Sequence, residues 1–542
     1  MEVTEASGPD AEANWFLSAD ERGNPYSDID RRHRDQAAWT VGNRVRTLVH
    51  GASYFAKLRE TIESLGEGDS LHFTDWRGDP DERLGEGSGT EIGALLMAAS
   101  RRGAQIKGLV WRSHSDRLGF SAKQNRHLGQ EVNAGGGEVL LDQRVHRGGS
   151  HHQKFIVVRR RNGPEGDLAL LGGIDLCHGR RDDEQHLGDP QPQPMPKVYG
   201  ATPPWHDVQV CVEGPAVGDL DLSFRERWDD PHPTSRDLLG VLQDPLRRLQ
   251  DEPSRLPPMP SDPPARGSHS VQILRTYPPR VPAYPFAPRG ERSIARAYLK
   301  ALRRARRLIY IEDQFLWSRE VMQAFADALA ASPDLHLIAV VPRFFDQSGL
   351  AVRPSQVGRL EALRVLEQAA RERVAIFDLE NKAGSPVYVH AKVCVIDDVW
   401  AGVGSDNLDR RSWTCDSEIA CAVLDAERDA RPPLDPAGLG DGARRYARDL
   451  RLQLWREHLD RAPGEDADLL DSAQAVSTLR RVASELDRWY QDGCRGPRPP
   501  GRLRAHHAQP VSALARLWAE PIYRLVYDPD ARPRALRGAG RW

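Results

Sequence analysis

The chain has 542 residues, with 75 Lys and Arg against 78 Asp and Glu, a formal net charge of −3; that balance argues against a protein that coats nucleic acid while leaving a local basic groove open. Hydrophobic residues make up 39% and charged residues 28%, and no apolar run approaches the ~18–20 residues that span a bilayer, so the composition is that of a soluble globular protein. Six cysteines lie scattered without a CxxC, which disfavours a disulfide framework or a thiolate zinc site and points to a reducing, cytoplasmic compartment.

Residues 1–45 read as a polar lead-in. Its opening, MEVTEASGPDAEANWF, lacks the basic and apolar regions of a secretory signal. Over 46–240 short apolar runs alternate with helical patterns. Strands are expected at 70–76, 105–111, 138–142, 154–158, 168–173 and 207–213, and an amphipathic helix at 90–103, ended by Gly103. A Pro-rich stretch over 241–269 disfavours helix and strand interiors and reads as a linker. The alternation restarts over 270–462, with strands at 271–277, 308–315, 335–341, 374–378, 387–396 and 418–424 and helices near 292–306, 321–331 and 354–371. Two stretches of similar length in one β/α order indicate an internal duplication. Residues 463–542 form an extension, helical at first and then Pro/Arg-rich.

Each half carries His-x-Lys on an expected strand: His152-Gln153-Lys154 and His390-Ala391-Lys392, the second continuing to Asp397. Residues i and i+2 of a strand share a face, so each His and Lys project together. Only eight of the 75 basic residues are lysine, and two of the eight occupy these matched places. A Gly-rich turn follows each pair, GGID at 172–175 and GSDN at 404–407. The first half has Arg159 where the second has Asp397. This is read as a local rewiring in which Arg159 meets loop backbone, with Glu165 or Asp167 as candidates to compensate.

The duplicated HxK…D pattern resembles the signature of the phospholipase D superfamily. GSDNLDRRSW…DSE, GGIDLCHGRRDDEQH, PWHDVQVCVEG and IYIEDQFLW resemble further blocks of its phospholipid-cleaving branch, so that the likeness covers residues from about 40 to 460. It implies an α/β fold of two fused phospholipase D-type β/α lobes with one active site at their interface. It implies hydrolysis of a glycerophospholipid to phosphatidic acid and head-group alcohol, with transfer to other alcohols as a side reaction. His152 would be the nucleophile and His390 the general acid. Lys154, Lys392 and Asn407 would grip the phosphoryl oxygens. Asp207 and Glu418 would orient the histidine of the opposite half, Asp175 and Ser405 would touch substrate, and Asp397 would support a loop.

The chemistry fits these residue types. Attack on an anionic phosphodiester builds charge on the equatorial oxygens, which lysines and an amide can stabilise. One neutral imidazole attacks phosphorus while a protonated one donates to the leaving alcohol. No cofactor and no bound metal are expected: His146, His151, His152 and His178 lack regular ligand spacing. The expected partner is phospholipid at a membrane surface, met peripherally through Trp111, Trp317 and Phe344-Phe345 or the tail. Residues 187–204 would form a mobile lip over the site. Nucleic acid and an obligate protein partner are not expected. The alternatives are a nuclease or phosphatidyl-transferring synthase on the same scaffold, and a non-catalytic phosphate-binding relative, for which Arg159 is the one sequence argument.

Overall fold

The computed structural model describes residues 11–33, 37–113, 122–235 and 252–542. Strands follow in chain order as β1 (Thr40–Val49), β2 (Ser70–Asp75), β3 (Gln105–Trp111), β4 (Glu138–Asp142), β5 (Phe155–Arg159), β6 (Leu168–Gly172), β7 (Trp205–His206) and β8 (Val208–Glu213). Then come β9 (His269–Tyr277), β10 (Glu291–Arg292), β11 (Leu308–Asp313), β12 (His336–Val340), β13 (Val374–Leu379), β14 (Tyr388–Val389), β15 (Lys392–Ile396), β16 (Trp400–Gly404), β17 (Glu418–Asp425) and β18 (Leu503–Ala505).

The hydrogen-bonded order is β18-β13-β12-β11-β15-β16-β17-β9-β1-β8-β6-β5-β2-β3-β4, with β10 beside β9. Apart from β18 and β10, this order is a palindrome about the β9–β1 pair. The parallel trio β2, β3, β4 corresponds to β11, β12, β13, and β5, β6, β8 and β1 correspond to β15, β16, β17 and β9. The duplication expected from the sequence is therefore a pair of α/β lobes fused edge to edge in one sheet. β18, from the extension, adds an antiparallel strand to the outer edge of the second lobe.

Alternation along the strands builds two faces. Phe155 and Val157 of β5, with Val393 and Val395 of β15, enter one apolar layer that runs beneath both lobes. Ile156 and Val158 enter a layer specific to the first lobe, and Cys394 and Ile396 one specific to the second. Helices cover both faces because their apolar positions recur at helical spacing: in Ser293–Arg304 the buried residues include Ile294, Ala297, Tyr298, Ala301 and Leu302, and Arg303 and Arg304 close the helix. Within the linker expected at 241–269, residues 241–251 lie outside the described residues, and 252–268 hold neither helix nor strand. Among the described residues no helix is long and apolar enough to cross a membrane.

Two details differ from expectation. The HxK pairs sit at the entrance of their strands, since β5 begins at Phe155 and β15 at Lys392. The reason lies in the backbone: His152 N–H donates to the Ser417 carbonyl (2.9 Å) and His390 N–H to the His206 carbonyl (2.8 Å), so both segments are bonded across the lobes and not along the sheet.

Arg159 is the second. It is buried, ion-paired with Asp167 (2.8 Å) and Asp221 (3.4 Å), and donates to the Ser261 carbonyl. Loop backbone is thus only part of its surroundings, and of the two candidate partners Asp167 is the one used; Glu165 is exposed. In the second lobe Asp397 accepts from the backbone of Arg306, Arg307 and Leu308 at 2.7–2.8 Å, in a turn where Asp397 and Asp398 both take positive φ. In the first lobe the equivalent tie comes from the opposite side: Asp69, just before β2, accepts from Gly66 and Arg161 N–H (both 3.0 Å) and from Arg160.

Arg159→Asp would place a third carboxylate among Asp167 and Asp221. It should cost on the order of 3–5 kcal/mol, as loss of one member of a buried ion pair does, read as a lower urea midpoint at unchanged slope. A midpoint within error of the parent would refute the buried pairing.

Candidate active site

At the junction of the lobes the two HxK entrances face each other, and each histidine is held by the other lobe. His152 Nδ1 lies 2.9 and 3.0 Å from the Glu418 carboxylate oxygens, at the start of β17. His390 Nδ1 lies 2.7 Å from Asp207 Oδ2, just before β8. Two short parallel strands, β7 and β14, carry Trp205–His206 beside Tyr388–Val389 and set this second pair. A side chain at Gly173 would put its Cβ 2.3 Å from Asp207 Oδ1, so glycine there lets the carboxylate through. With Nδ1 engaged, each histidine presents Nε2 to the space between the lobes.

The histidines differ in exposure. His152 keeps 14% of its side chain exposed, His390 6%. Burial first, and then the neighbouring Lys392 and Arg180 cations, hold His390 well below the usual imidazole range. Burial raises Asp207 above the usual carboxylate range and pushes the Lys392 ammonium down to about 8, although Asp207 pulls the other way.

Both lysines are buried. Lys154 Nζ donates to the His152 carbonyl (3.1 Å) and stands 3.5 Å from Asp175 Oδ1; Lys392 Nζ donates to the His390 carbonyl and to Gln314 Oε1 (3.2 Å). The Asn407 N–H donates to Ser412 Oγ (3.1 Å), while its side-chain Oδ1 is buried without a partner. The side-chain Nδ2, which makes no hydrogen bond to the described residues, is the donor that can meet a ligand oxygen.

A pair of aspartates supports the floor. Asp75 at the end of β2 accepts from Leu176 N–H (2.9 Å), and Asp313 at the end of β11 accepts from Leu408 N–H (2.8 Å), so each fixes the residue after the Gly-rich turn. Asp75 shares a hydrogen bond with Asp175, and burial together with Asp175 raises it well above the carboxylate range. Asp175 is held ionised by Lys154 and Arg180.

The "Phospholipase D" family model matches residues 87–340, and the "Cardiolipin synthase, PLD-like domain" model matches 298–430. Together they take in both HxK entrances. The chain belongs to the phospholipase D superfamily. It is 24% identical over 572 residues to phospholipase D alpha 1 of Oryza sativa subsp. japonica, covering 83% of this chain and 68% of the relative. It is 24% identical over 531 residues to phospholipase D beta 1 of Arabidopsis thaliana, covering 76% and 48%. Among solved structures it is similar to phosphatidylserine synthase of Haemophilus influenzae Rd KW20, with 13% identity, a TM-score of 0.48, and 71% and 82% of the two chains covered.

Of the residues singled out from the sequence, His152, Lys154, His390, Lys392, Asn407, Asp207, Glu418 and Asp175 converge in this phospholipase D-type centre. Ser405 does not face it. Its hydroxyl is fully buried and donates to Glu418 Oε2 (2.5 Å), so it positions Glu418 and does not touch substrate. Asp175 stands beside two cations, 3.5 Å from Lys154 Nζ and 3.7 Å from Arg180 Nη2.

Trp317 and Phe345 form no apolar rim: both are buried with Val357, Ala519 and Tyr523. Trp111 is also buried, stacked on Trp76 at 5.6 Å. The segment 187–204 is pinned. Asp189 accepts from Gly179, Arg180 and Arg181 N–H at 3.0–3.1 Å, and Tyr199 is buried against Trp205 and Tyr388. Nor do the four histidines weighed as a metal cluster meet. His146 bonds the Pro279 carbonyl, His178 pairs with Asp81, and His151 is buried with neither ring nitrogen bonded.

The sequence reading missed Arg180, stacked 3.8 Å over the Trp205 ring, and the strand-end aspartates. TDW at 74–76 and EDQ at 312–314 were the available signal, an Asp closing the corresponding strand in each repeat.

The Lys392 ammonium is charged below pH of about 8 and neutral above it. Since kcat/KM reports groups of the free enzyme, it should fall by about tenfold per pH unit on the alkaline side of about 8, measured on bis(p-nitrophenyl) phosphate. Lys392→Arg should remove that limb at a lower maximal rate. A limb unmoved in the variant would assign it to another group.

Proposed function

We propose that the chain hydrolyses the head-group phosphodiester of a glycerophospholipid through a phosphohistidine. The observation that carries the reading is the crossed pairing of His152 with Glu418 and His390 with Asp207 around two buried lysines. His152 Nε2 attacks phosphorus. The P–O bond to the leaving alcohol breaks as His390 gives that oxygen a proton. Water, deprotonated by His390, then attacks the phosphoryl group and breaks the P–N bond, releasing phosphatidic acid. Lys154, Lys392 and Asn407 receive the charge on the non-bridging oxygens. In the free protein His390 is held neutral by burial and nearby cations; the anionic phosphodiester offsets those cations and lets it carry the proton it must donate.

Any alcohol that reaches the intermediate in place of water gives phosphatidyl transfer, the reading favoured by the match to the cardiolipin synthase domain over 298–430. Arg159, the sequence argument for a non-catalytic role, sits at the far end of β5 in ion pairs of its own, which supports the catalytic reading.

Contact with a lipid surface is supported by the tail. In helix Ala513–Ile522 and the turn Tyr523–Tyr527, Ala519 and Tyr523 pack onto Trp317 and Phe345, while Leu514, Leu517 and Leu525 are about three-quarters exposed and Val526 is largely so. Arg411 ties this segment to the site, donating to the carbonyls of Val526 and of Gly148, just ahead of His152. An apolar stripe beside the entrance suits a lipid interface.

Head-group release should be measured on phosphatidylcholine, phosphatidylethanolamine and phosphatidylglycerol vesicles, with bis(p-nitrophenyl) phosphate and plasmid DNA alongside. Lipid turnover without plasmid cleavage is expected; the reverse would make the chain a nuclease. His152→Ala should lose at least about 10²–10⁴ in rate and all trapped phosphohistidine, whereas His390→Ala should still be labelled slowly by a substrate with a good leaving group. Label on His390 in place of His152 would reverse the two roles.

The stripe is tested apart from the chemistry. Leu517→Glu with Leu525→Glu should weaken vesicle binding by tenfold or more, at about 1.5–3 kcal/mol per buried leucine, and leave turnover of the soluble diester within about twofold. Unchanged vesicle binding would place the lipid contact elsewhere.

A further inference from the structure

Behind the reacting centre, on the other side of the Trp205–Asp207 segment, lies a buried group of histidines and glutamates that the phosphodiesterase chemistry does not use. One ring nitrogen each of His50, His186 and His206 and a carboxylate oxygen of Glu457 all lie within 4.8 Å of one another. His50 Nε2 is 2.8 Å from Glu457 Oε2; His186 Nε2 and His206 Nδ1 are 3.0 and 3.6 Å from Glu457 Oε1. The three rings are almost wholly buried, with centroids 4.7, 4.8 and 5.6 Å apart. Four donors at the corners of a tetrahedron with bonds of 2.0–2.1 Å would be about 3.4 Å apart; the three N···O distances of 2.8–3.6 Å bracket that value, and the whole group lies within 4.8 Å.

The outer contacts of two of the rings show which of their nitrogens face Glu457. His206 Nε2 lies 2.7 Å from Glu312 Oε2, an acceptor, so that nitrogen carries a proton, and a neutral ring would offer the Nδ1 lone pair to an ion. That Nδ1 is buried, has no hydrogen-bond partner, and is turned toward Glu457. His186 Nδ1 lies 3.2 Å from the Trp205 carbonyl, again an acceptor, and its Nε2 faces Glu457 Oε1 at 3.0 Å. Three ring nitrogens turned toward one carboxylate need either protons or a metal ion between them. Protons could fill the gaps only by crowding imidazolium ions within a few ångströms of each other, out of water. One divalent ion satisfies all four donors with the rings neutral. Glu312 is itself held, by His458 Nε2 (2.7 Å) and Tyr310 OH (2.5 Å). A carboxylate behind a ligating imidazole is the usual outer support of a protein metal site.

We propose that His50, His186, His206 and Glu457 bind one Zn2+ ion as a structural site distinct from the reacting centre. Three imidazoles and one carboxylate suit zinc in tetrahedral coordination. The ion would join three points of the first lobe to helix Arg445–His458 of the second and fix His206, the residue before Asp207. It would therefore position the carboxylate that holds His390 without touching the phosphoryl group.

The test uses the full chain and does not depend on what it hydrolyses. Metal analysis of protein purified without chelators should find about one zinc per chain. After zinc is stripped with dipicolinate, Co2+ should bind with the intense visible absorption of a tetrahedral site, and Zn2+ should displace it and raise the unfolding midpoint. His186→Ala and Glu457→Gln should each weaken Zn2+ binding by at least about 10²-fold. Wild-type protein that takes up neither Zn2+ nor Co2+ at micromolar concentration would overturn the proposal, and so would undiminished binding in both variants. If a variant fails to fold, the cobalt titration of the wild type decides the matter alone.

Discussion

Each catalytic-type histidine takes its orientation from a carboxylate of the opposite lobe, and the remainder of the architecture is arranged around that exchange. His152 stands at the entrance of β5 but answers to Glu418 on β17; His390 stands at the entrance of β15 but answers to Asp207 before β8. A single lobe would leave its histidine without the partner that selects the tautomer, so neither lobe contains a site. The long sheet serves this purpose. Pairing of β1 with β9 at its centre joins the lobes in one sheet, and the carbonyls of Ser417 and His206 hold the two histidine backbones in register across the junction. Positions that must agree within tenths of an ångström are thus set by main-chain hydrogen bonds and not by flexible side chains.

Charge at the junction follows from the same geometry. Lys154, Lys392 and Arg180 are withdrawn from water around a space meant for an anion, and Asp175 and Asp207 stand beside them. The carboxylates keep the cations tolerable in the empty site, while Asp75 accommodates the excess negative charge by holding its proton. Buried ions of both signs in near balance cost less than either sign alone.

The duplication, the HxK pairs and the Gly-rich turns were legible because they recur at matched places within short windows. Asp207 and Glu418 were legible only through family likeness, since nothing local ties residue 207 to residue 390. Ser405 was misread because a hydroxyl in a Gly-rich turn looks the same from the sequence whether it faces a ligand or a buried carboxylate. Arg159 was placed by its distance along the strand, which says where a side chain begins but not that Asp221, sixty-two residues on, lies opposite it. The aromatics after the strands were read as a rim because exposure is decided by what covers them; the covering helix comes from beyond residue 510, and its own outer face carries the exposed leucines instead.

His50, His186, His206 and Glu457 show the limit of spacing arguments most clearly. No two of them are closer than twenty residues in sequence, and none belongs to a ligand motif. They meet because the pseudo-twofold arrangement brings the start of helix Gly51–Glu63, the loop after the first Gly-rich turn, and the end of helix Arg445–His458 to the back of β7. One residue separates the two environments. The His206 side chain turns to the histidine group and the Asp207 side chain to His390, as successive residues of an extended segment must. Whatever fixes the first therefore bears on the second, and a site that reads from the front as acid–base chemistry between two lobes depends at its back on how the same segment is anchored.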